Sequence, residues 1–513
     1  MRSHFNKAIA VFFLLMCCHS FAADIAARPL TQSEILGLIA GNALPENIVN
    51  AIKTNGLAFK PTGEYKALLK RASGQAAANI LAALDGAGIA QRDGTKAENS
   101  QMLEQLARAA ELMHGQHYQD AAKDLSVAIQ AAPDNVAPAF VMAEILRQQK
   151  QWPEAMMLFQ QLLERDPEFP EAHTKLAYIM YRLADGDEAV GEARAALRRT
   201  PVNAEANKNL GLGLETLRRF DAAILAYREA LRLKADYAVV HYDLGLLYQN
   251  KRDLDNAIVE YKKAIALNPA DSDAHNNLGN AYKDKGEVEE AIRHYREAKR
   301  LAPNNFEPRI NLASVLTNRD PYAAIAEFRE LESKFPESVT CHVCFGQAYL
   351  NNKNLAEAVE QYRIAVRLDP SSAEAHAGLG SAFTEQKKYD AALAEVTEAE
   401  RLDPDSVEAH RGLGNLFLAK KDYVSAITEW RMVTALDAKD PYAHYFLAQA
   451  LAENGDTDRG IAEYQEALKL GPDSPIFIRL AELLDKKGDY VGALEQYRHA
   501  AETWQSTETR HTI

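Results

Sequence analysis

Residues 274–305 read AHNNLGNAYKDKGEVEEAIRHYREAKRLAPNN, and the same pattern returns along most of the chain. Residues 240–271, VHYDLGLLYQNKRDLDNAIVEYKKAIALNPAD, align with it without gaps at a spacing of 34. Residues 375–406, AHAGLGSAFTEQKKYDAALAEVTEAERLDPDS, align with both. Self-similarity at a fixed period indicates a repeat architecture, in which a unit buries its apolar face only by stacking on its neighbours. We therefore expect an array of repeats rather than several unrelated domains.

The repeat occurs twelve times and fills residues 102–507. The seventh and eleventh copies are one residue short, and the copies begin at Met102, Val136, Pro170, Ala204, Ala238, Ser272, Phe306, Val339, Ala373, Val407, Pro441 and Ser474. Position 8 is small in all twelve, and position 20 is Ala in eleven and Gly460 in the other. We expect these two positions to meet, because small residues let two helices approach closely. Pro at position 32, present in nine repeats, cannot extend the second helix and ends the unit.

This pattern resembles the tetratricopeptide repeat (TPR) family. The family's motif has Leu at position 7, a small residue at 8, a bulky residue at 11, Ala at 20, an aromatic residue at 24, Ala at 27 and Pro at 32. The resemblance covers about 406 of the 513 residues. It implies an all-α fold, a right-handed superhelix or α-solenoid of about twelve helix-turn-helix repeats, whose first helices line a concave groove.

Residues 1–23 have the layout of a secretory signal peptide. Arg2 and Lys7 make the start basic, an apolar run of eleven residues follows at 8–18, and small residues precede a cleavage point near Ala22. The run is too short to span a bilayer comfortably. We expect an exported protein, periplasmic or secreted, with no membrane span in the mature chain. A buried N-terminal helix and a lipoprotein signal are the alternatives.

Residues 24–85 do not match the repeat, and we predict a small helical domain there. Thr31 and Glu34 have the spacing of a capping box at the start of a helix. Further helices are expected after Pro45 and near Thr62. Residues 86–101, GAGIAQRDGTKAENSQ, are polar and contain glycine, which predicts a flexible linker.

The C-terminal end is predicted to lack a full cap. Only a short tail, residues 508–513, follows the last repeat. A solenoid usually needs a polar cap on its terminal unit, and Trp504 lies on the last helix. We therefore expect fraying or self-association through the C-terminal repeat. A merely polar outer face, formed by Glu495, Arg498 and Glu502, is the alternative.

The composition is close to that of an ordinary soluble protein, with 47% hydrophobic and 25% charged residues. The formal net charge is −14. So acidic a chain has no bulk attraction for nucleic acid or for anionic membranes. We expect a protein or peptide partner instead. Four cysteines are too few for a dense disulfide framework.

Enzymatic signatures are missing from the sequence, which has no HExxH, no GxxxxGK and no GxSxG motif. We predict that the chain is not an enzyme and needs no cofactor. Histidines recur at position 4, where stacking would separate them by roughly 10 Å, too far for the ~2 Å bonds of one shared metal ion. We expect structural roles and no metal site for this row, which comprises His173, His241, His275, His342, His376, His410 and His444.

Cys341 and Cys344 form a C-x-x-C pair in the first helix of repeat eight. On a helix the two side chains share one face. Three interpretations stay open: two packed small residues, a strained local disulfide, or a redox or metal function. A zinc site would need a second pair, and a redox motif would need a thioredoxin-like context, so packing is favoured.

The TPR resemblance implies that binding uses first-helix positions 2, 5, 6, 9, 12 and 13, which face the groove. Position 6 is polar in repeats four to seven and repeat six adds three more polar residues; the set is Asn209, Asp243, Asn277 and Asn311, with Asn276, Asn280 and Lys283. The set resembles the asparagine ladder of O-linked N-acetylglucosamine transferases, whose amides hold an extended peptide backbone. An amide both donates and accepts, so it pairs with any peptide unit. From repeat eight the ladder stops, and repeat consensus on a solvated face is the alternative.

Repeat eleven differs from the others in carrying three aromatic residues, Tyr442, Tyr445 and Phe446, at positions 2, 5 and 6. Clusters of exposed aromatic side chains often mark interaction sites, so we predict partner contacts there. Packing against the neighbouring first helix is the alternative.

These features together favour a non-catalytic scaffold or adaptor of the cell envelope, which binds an extended peptide or a partner protein in its groove. The alternative is an accessory or targeting subunit of a glycosyltransferase or of an envelope polysaccharide machinery.

Overall fold

The computed structural model describes residues 29–89 and 98–511, with side chains as far as residue 503. The predicted signal peptide and the side chain of Trp504 therefore lie outside the described residues, as do residues 90–97 of the predicted linker. Within the described residues the chain is helical apart from turns, connectors and two isolated β-bridges. None of the described helices is long and apolar enough to cross a membrane.

From residue 29 onward, four α-helices precede the repeats: α1 Gln32–Ala40, α2 Pro45–Asn55, α3 Gly63–Ser73 and α4 Ala77–Asp85, with a 3-10 turn at Gly74–Ala76 between the last two. The capping box predicted for α1 is confirmed. The Thr31 hydroxyl accepts from the Glu34 backbone N–H, and the Thr31 N–H donates to the Glu34 carboxylate at 2.8 Å. Thr62 caps α3 through the Tyr65 N–H. These short side chains satisfy backbone donors that a helix start otherwise leaves without partners.

The predicted linker is not free where the structure describes it. The Leu57 N–H donates to the Gly88 carbonyl at 2.9 Å, and Leu57 bridges both Leu30 and Ile89 in parallel. On the far side, the Ser33 N–H donates to the Glu98 carboxylate at 3.0 Å. Backbone and side-chain hydrogen bonds thus hold both described ends of this segment, and the flexibility expected for residues 86–101 stays a prediction.

Twelve helix pairs follow, as the 34-residue period predicted. In chain order they are α5 Ser100–His114, α6 Tyr118–Ala131, α7 Val136–Gln148, α8 Trp152–Arg165, α9 Pro170–Arg182, α10 Gly186–Arg199, α11 Ala204–Thr216, α12 Phe220–Leu233, α13 Ala238–Asn250, α14 Leu254–Leu267, α15 Ser272–Lys285, α16 Val288–Leu301, α17 Phe306–Leu316, α18 Pro321–Lys334, α19 Val339–Asn351, α20 Leu355–Leu368, α21 Ala373–Glu385, α22 Tyr389–Leu402, α23 Val407–Lys420, α24 Tyr423–Leu436, α25 Pro441–Glu453, α26 Thr457–Leu470, α27 Ser474–Lys487 and α28 Tyr490–His511. The all-α repeat fold expected from the sequence is confirmed.

The small residue at position 8 makes room for the aromatic ring at position 24 of the same repeat. A Cβ added at Gly211 would lie 2.5 Å from Cε1 of Tyr227, and one added at Gly414 would lie 2.6 Å from Nε1 of Trp430. Both rings are fully buried. The sequence predicted that position 8 meets position 20. In the structure the glycine at position 8 is needed chiefly because the ring at position 24 lies against it.

The chain divides into two compact units, one ending at Pro269 and the other beginning at Ala270. In unit one, α1 packs on α5 and α7, and α3 packs on α5. One continuous apolar core includes Ile35 and Tyr65 from the N-terminal helices and Leu106 and Phe140 from the repeats. The N-terminal helices, predicted as a small helical domain over residues 24–85, are thus a layer of unit one. Unit two contains helices α15 to α28.

Candidate functional site

The predicted asparagine ladder begins in unit one with a side chain that is fully buried. The Asn209 Nδ2 donates to the Thr174 carbonyl at 2.7 Å and joins the first helices of repeats three and four. An accessible peptide-binding amide is therefore not found at Asn209. Asp243 is half-buried; burial raises its pKa from 3.8 to about 7, which Lys208 opposes and Glu215 reinforces.

In unit two the ladder residues bond to one another. The Asn311 Nδ2 donates to the Asn276 Oδ1 at 2.9 Å. The Tyr295 hydroxyl donates to the Asn280 Oδ1 at 2.7 Å, and the Asn280 Nδ2 lies 3.4 Å from the Asn277 Oδ1. The four amides are half-buried, whereas Lys283 is exposed. Peptide binding here stays a prediction, and it would have to replace these internal bonds.

The groove positions of repeats two and three, in unit one, are covered by the chain's own N-terminal helices. A Cβ added at Gly37 would lie 2.8 Å from the Ala137 Cβ, and one at Gly41 would overlap the Phe140 ring. Ala137 and Phe140 are positions 2 and 5 of repeat two. At position 6 of repeat three, the buried Lys175 ammonium donates to the Asn42 carbonyl at 3.3 Å. The first-helix face of repeats two and three is thus occupied in cis.

One feature of the sequence indicates this packing of the N-terminal helices, although the sequence predictions did not use it. Gly37 and Gly41 stand four residues apart at one face of the helix, a spacing that permits another backbone to approach. A buried polar contact completes the docking: the Asn47 Nδ2 donates to the Asn203 Oδ1 at 2.8 Å, and the Ala204 N–H donates to the Asn47 Oδ1 at 3.2 Å.

An open groove of about 930 Å³ runs along the first helices of repeats seven to ten in unit two. Its floor is formed by positions 5, 6 and 9 of repeats eight, nine and ten, which are Val343, Cys344, Gln347, Ala377, Gly378, Ser381, Arg411, Gly412 and Asn415. These are the helix positions that the TPR resemblance implied. The groove is thus open in the repeats where the asparagine ladder stops. Small residues there leave the space open, whereas amide side chains occupy the equivalent positions of repeat six.

Amide side chains follow one wall of this groove. The Gln347 Nε2 donates to the Asn351 Oδ1 at 2.6 Å, and the Asn351 Nδ2 donates to the Asn318 Oδ1 at 2.7 Å. Asn415 is half-buried at position 9 of repeat ten and makes no side-chain hydrogen bond with the described residues. An amide of this kind provides both a donor and an acceptor for a peptide unit.

The groove carries charges of both signs. Arg411 donates to Asp440 at 2.8 Å, and Lys353 pairs with Glu385 at 3.0 Å. At position 2 of repeat nine, partial burial raises the pKa of Glu374, and the neighbouring carboxylate Glu408 raises it further. This edge of the groove is therefore acidic, whereas two cations of the groove, Lys353 and Arg411, are paired within the protein.

The three aromatic residues of repeat eleven pack largely against their neighbours. Phe446 stacks on Trp430 with ring centroids 4.8 Å apart, and Tyr445 meets Tyr464 edge-on at 5.7 Å. Tyr442 is exposed, and its hydroxyl donates to Asp473 at 2.8 Å. Phe446 also lines the end of the groove. Packing thus explains two of the three rings, and partner contact at this patch stays a prediction.

The cysteine pair is not bridged, since Cys341 and Cys344 are both free thiols. Burial raises the pKa of Cys341 to about 12. Burial also raises the pKa of Cys344, although a hydrogen bond with Ser314 opposes the shift. Thiols with raised pKa values are poor nucleophiles and poor metal ligands at neutral pH, which agrees with packed small residues.

Five position-4 histidines make one recurrent contact, which we call the histidine clasp. The ring Nδ1 lies 2.6–2.8 Å from a glutamate at position 23 of the same repeat, in the pairs His173–Glu192, His241–Glu260, His376–Glu395, His410–Glu429 and His444–Glu463. In four of them Nε2 also lies 3.0–3.3 Å from the carbonyl six residues earlier. At His173 and His410 burial lowers the pKa of the imidazole, but the hydrogen bonds to the glutamate and to the carbonyl outweigh it and raise the pKa above 6.5, because two acceptors favour an N–H on both ring nitrogens.

One histidine clasp has a second carboxylate nearby. Glu400, His410 and Glu429 place ligand atoms within 4.8 Å of one another, which is a spacing suited to a metal ion. Both ring nitrogens of His410 are already bonded, to Glu429 at 2.8 Å and to the Pro404 carbonyl at 3.0 Å. The same contacts recur in repeats for which no second carboxylate is found among the described residues, so the clasp accounts for this arrangement.

Comparison with known families and structures bears on the repeats. Family models described as tetratricopeptide repeat or TPR repeat match residues 106–170, 146–209, 219–251, 253–286, 272–305, 314–373, 343–407, 383–450 and 431–475, together well over half of the chain. No curated protein sequence matches the chain at a significant level.

Several solved structures are similar in fold. The Cut9–Hcn1 hetero-tetramer of APC/C is similar at 17% identity, with a TM-score of 0.45, over 78% of this chain and 87% of that chain. Yeast Tom70 is similar at 15% identity, with a TM-score of 0.42, over 78% of this chain and 92% of that chain. YrrB, described as a TPR protein with an unusual peptide-binding site, is similar at 23% identity, with a TM-score of 0.31, over 38% of this chain and 98% of that chain. At these values the similarity concerns the fold alone.

Proposed function

Because this chain belongs to the tetratricopeptide repeat family, whose members bind proteins or peptides, we propose that it is a non-catalytic scaffold with its binding site in unit two. The site is the groove of repeats seven to ten, and its ligand is an extended segment of a partner protein. The observation that carries the proposal is the contrast between the two units. In repeats two and three of unit one the chain's own helices cover the first-helix face, whereas in repeats eight to ten of unit two the equivalent positions line about 930 Å³ of open space.

The chemistry of the groove suits an extended peptide. Val343 and Ala377 provide apolar floor, and Gly378 and Gly412 expose helix backbone, where a ligand backbone could lie close. Asn415 offers an amide that has no internal partner among the described residues. The sequence motifs of hydrolases, phosphotransferases and metalloproteases are absent, and we assign the protein no reaction of its own.

Export to the cell envelope is a further part of the proposal, and it rests on the leader in residues 1–23. Mass measurement of the protein recovered from an exporting host tests it. Cleavage near Ala22 supports export, and recovery of the intact N-terminus in the cytoplasm contradicts it. Self-association through the C-terminal repeat is a separate proposal that rests on other residues.

Selection from a library of random unstructured peptides tests the groove. Ser381→Tyr fills the groove, and Asn415→Ala removes the unpartnered amide; loss of one hydrogen bond of about 1.4 kcal/mol weakens binding roughly tenfold. The matched control is the double variant Asn277→Ala/Asn311→Ala in the ladder. We expect selected peptides to lose affinity for both groove variants and to keep it for the control. Affinity lost only in the ladder variant, or kept in all variants, refutes the proposed site.

A further inference from the structure

The second helix of the last repeat exposes a face that internal repeats bury. In internal repeats the ring at position 24 lies under the first helix of the next repeat, as where Phe446 stacks on Trp430 and where Gly378 leaves room for Tyr362. Tyr464 at this position is 3% exposed, whereas the equivalent Tyr497 on α28 is 42% exposed. Its neighbours at positions 17 and 21 are equally uncovered, with Tyr490 70% and Leu494 53% exposed.

The opposite end of the array has no such open face. In unit one, α1 and α3 pack on α5, the first helix of repeat one. Ala107, at position 6 of that helix, where Gly378 and Phe446 meet the preceding ring in internal repeats, is buried. A second copy therefore cannot continue the stack head to tail, because the surface that would receive α28 is already covered by its own chain. Of the arrangements open to two copies, a two-fold pairing of like faces remains.

The spacing of the exposed residues suits a two-fold pairing. Tyr490, Leu494, Tyr497 and Ala501 follow one another at intervals of four, three and four residues, and this pattern is the same when read in either direction. Two antiparallel copies of α28 would therefore place Leu494 against the partner's Tyr497, and Tyr490 against the partner's Ala501. Each contact occurs twice, and each joins a larger side chain to a smaller one.

We propose that two copies of this chain form a closed dimer in which α28 packs antiparallel on α28 of the partner. Aromatic side chains carry about 200 Å² each, so at the exposures given the two tyrosines offer on the order of 200 Å² per copy. The face is small against the roughly 1,200–2,000 Å² of stable interfaces. The dimer is therefore weak, with a dissociation constant on the order of 10 µM or higher.

Sedimentation velocity of the purified chain, from about 1 to 200 µM, tests this proposal independently of the groove. We expect the average mass to approach twice that of the monomer with rising concentration. Leu494→Glu and Tyr497→Lys should each remain monomeric, because each places a charge against an apolar side chain. The control is Val424→Glu, on the second helix of internal repeat ten, where the valine is 67% exposed and outside the proposed face; it should dimerise normally.

Mixing the two monomeric variants tests the antiparallel register. In the mixed dimer Glu at position 494 of one copy faces Lys at position 497 of the other, while the second Leu494–Tyr497 contact is intact, so association should return. Its return also shows that both variants are folded, which circular dichroism checks directly. A wild-type chain that stays monomeric at 200 µM, a dimer that Leu494→Glu does not weaken, or variants that fail to complement would each overturn the proposal.

Discussion

Glu429→Gln would convert the histidine clasp of repeat ten into an arrangement that repeat eight already has. There His342 Nδ1 lies 2.7 Å from the amide oxygen of Gln361 instead of a carboxylate. His410 is buried, and its Nδ1 lies 2.8 Å from Glu429. The substitution keeps the size and shape of the side chain and removes only its charge, so its effect isolates the ionic part of the clasp.

The expected magnitude follows from the bonds. A hydrogen bond to a charged group contributes about 1.5–3 kcal/mol and a neutral one about 1 kcal/mol. Exchanging one for the other should therefore cost about 0.5–2 kcal/mol near pH 6. Because a repeat array opens locally, we expect amide exchange in α23 and α24 to quicken by about 2–30-fold, at 1.36 kcal/mol per factor of ten.

The destabilisation caused by Glu429→Gln should depend on pH. Burial lowers the pKa of His410, but the hydrogen bonds to Glu429 and to the Pro404 carbonyl, with the nearby carboxylates, outweigh it and raise the pKa above 6.5. A raised histidine pKa contributes stability that is fully present below the unfolded value and is lost as pH rises through the folded value. The difference between wild type and Glu429→Gln should therefore be larger at pH 6 than at pH 8.5.

Hydrogen exchange read by mass spectrometry in peptides of α23 and α24 makes the measurement, with both proteins compared at each pH. Glu398→Gln is the control, because Glu398 forms an ion pair with Arg401 on the same array but at the exposed surface; it should leave the exchange unchanged. If Glu429→Gln behaves like this control, or if its effect is the same at both pH values, His410 is not held as an imidazolium and the reasoning is refuted.

Three further predictions concern other sites. Gly378→Ala should destabilise unit two by about 1–3 kcal/mol, because the added Cβ overlaps the Tyr362 ring; a lower thermal midpoint checks it, and an unchanged midpoint contradicts it. Asn47→Ala should leave Asn203 without its partner and cost about 1–3 kcal/mol, seen as faster exchange in α2 and not in α28. Asp243→Asn should stabilise unit one at pH 8, because a carboxyl whose folded pKa is raised to about 7 loses stability as pH rises from 3.8; the gain should vanish at pH 3.

The helix pairs could be predicted from the sequence because their determinants repeat. Small position 8 and aromatic position 24 meet within one unit, so Gly279 and Tyr295 contain the same local information as Gly245 and Tyr261. The capping box at Thr31 is likewise local, and it placed the start of α1 correctly. Such features lie within one repeat or one helical turn, which is the range over which a single sequence is informative.

The docking of the N-terminal helices and the extent of the groove depend on contacts without a period. Gly41 packs against Phe140, which lies about a hundred residues away in the sequence. No pattern in either stretch of sequence predicts this contact. The open groove of unit two lies at the helix positions that the family resemblance implied, in repeats eight to ten, whereas the ladder was predicted in repeats four to seven and peptide binding there stays a prediction. From the sequence, the amide side chains of the ladder were expected to be free to bind a ligand. In the structure Asn311 donates a hydrogen bond to Asn276, and Asn209 is buried. Only pairing in three dimensions separates a free polar group from a used one.

The histidine clasp also bears on how such an array can change over generations. Its histidine and glutamate come from one repeat, and what it takes from the preceding repeat is a main-chain carbonyl, as at Pro370 and Pro404. Every residue type offers that carbonyl. A repeat that carries both side chains therefore contains all that its contact with the preceding repeat requires. Such a repeat can be duplicated, lost or exchanged without a matching substitution in its neighbour. Repeats built in this way are interchangeable parts, and selection can lengthen or shorten the array one unit at a time.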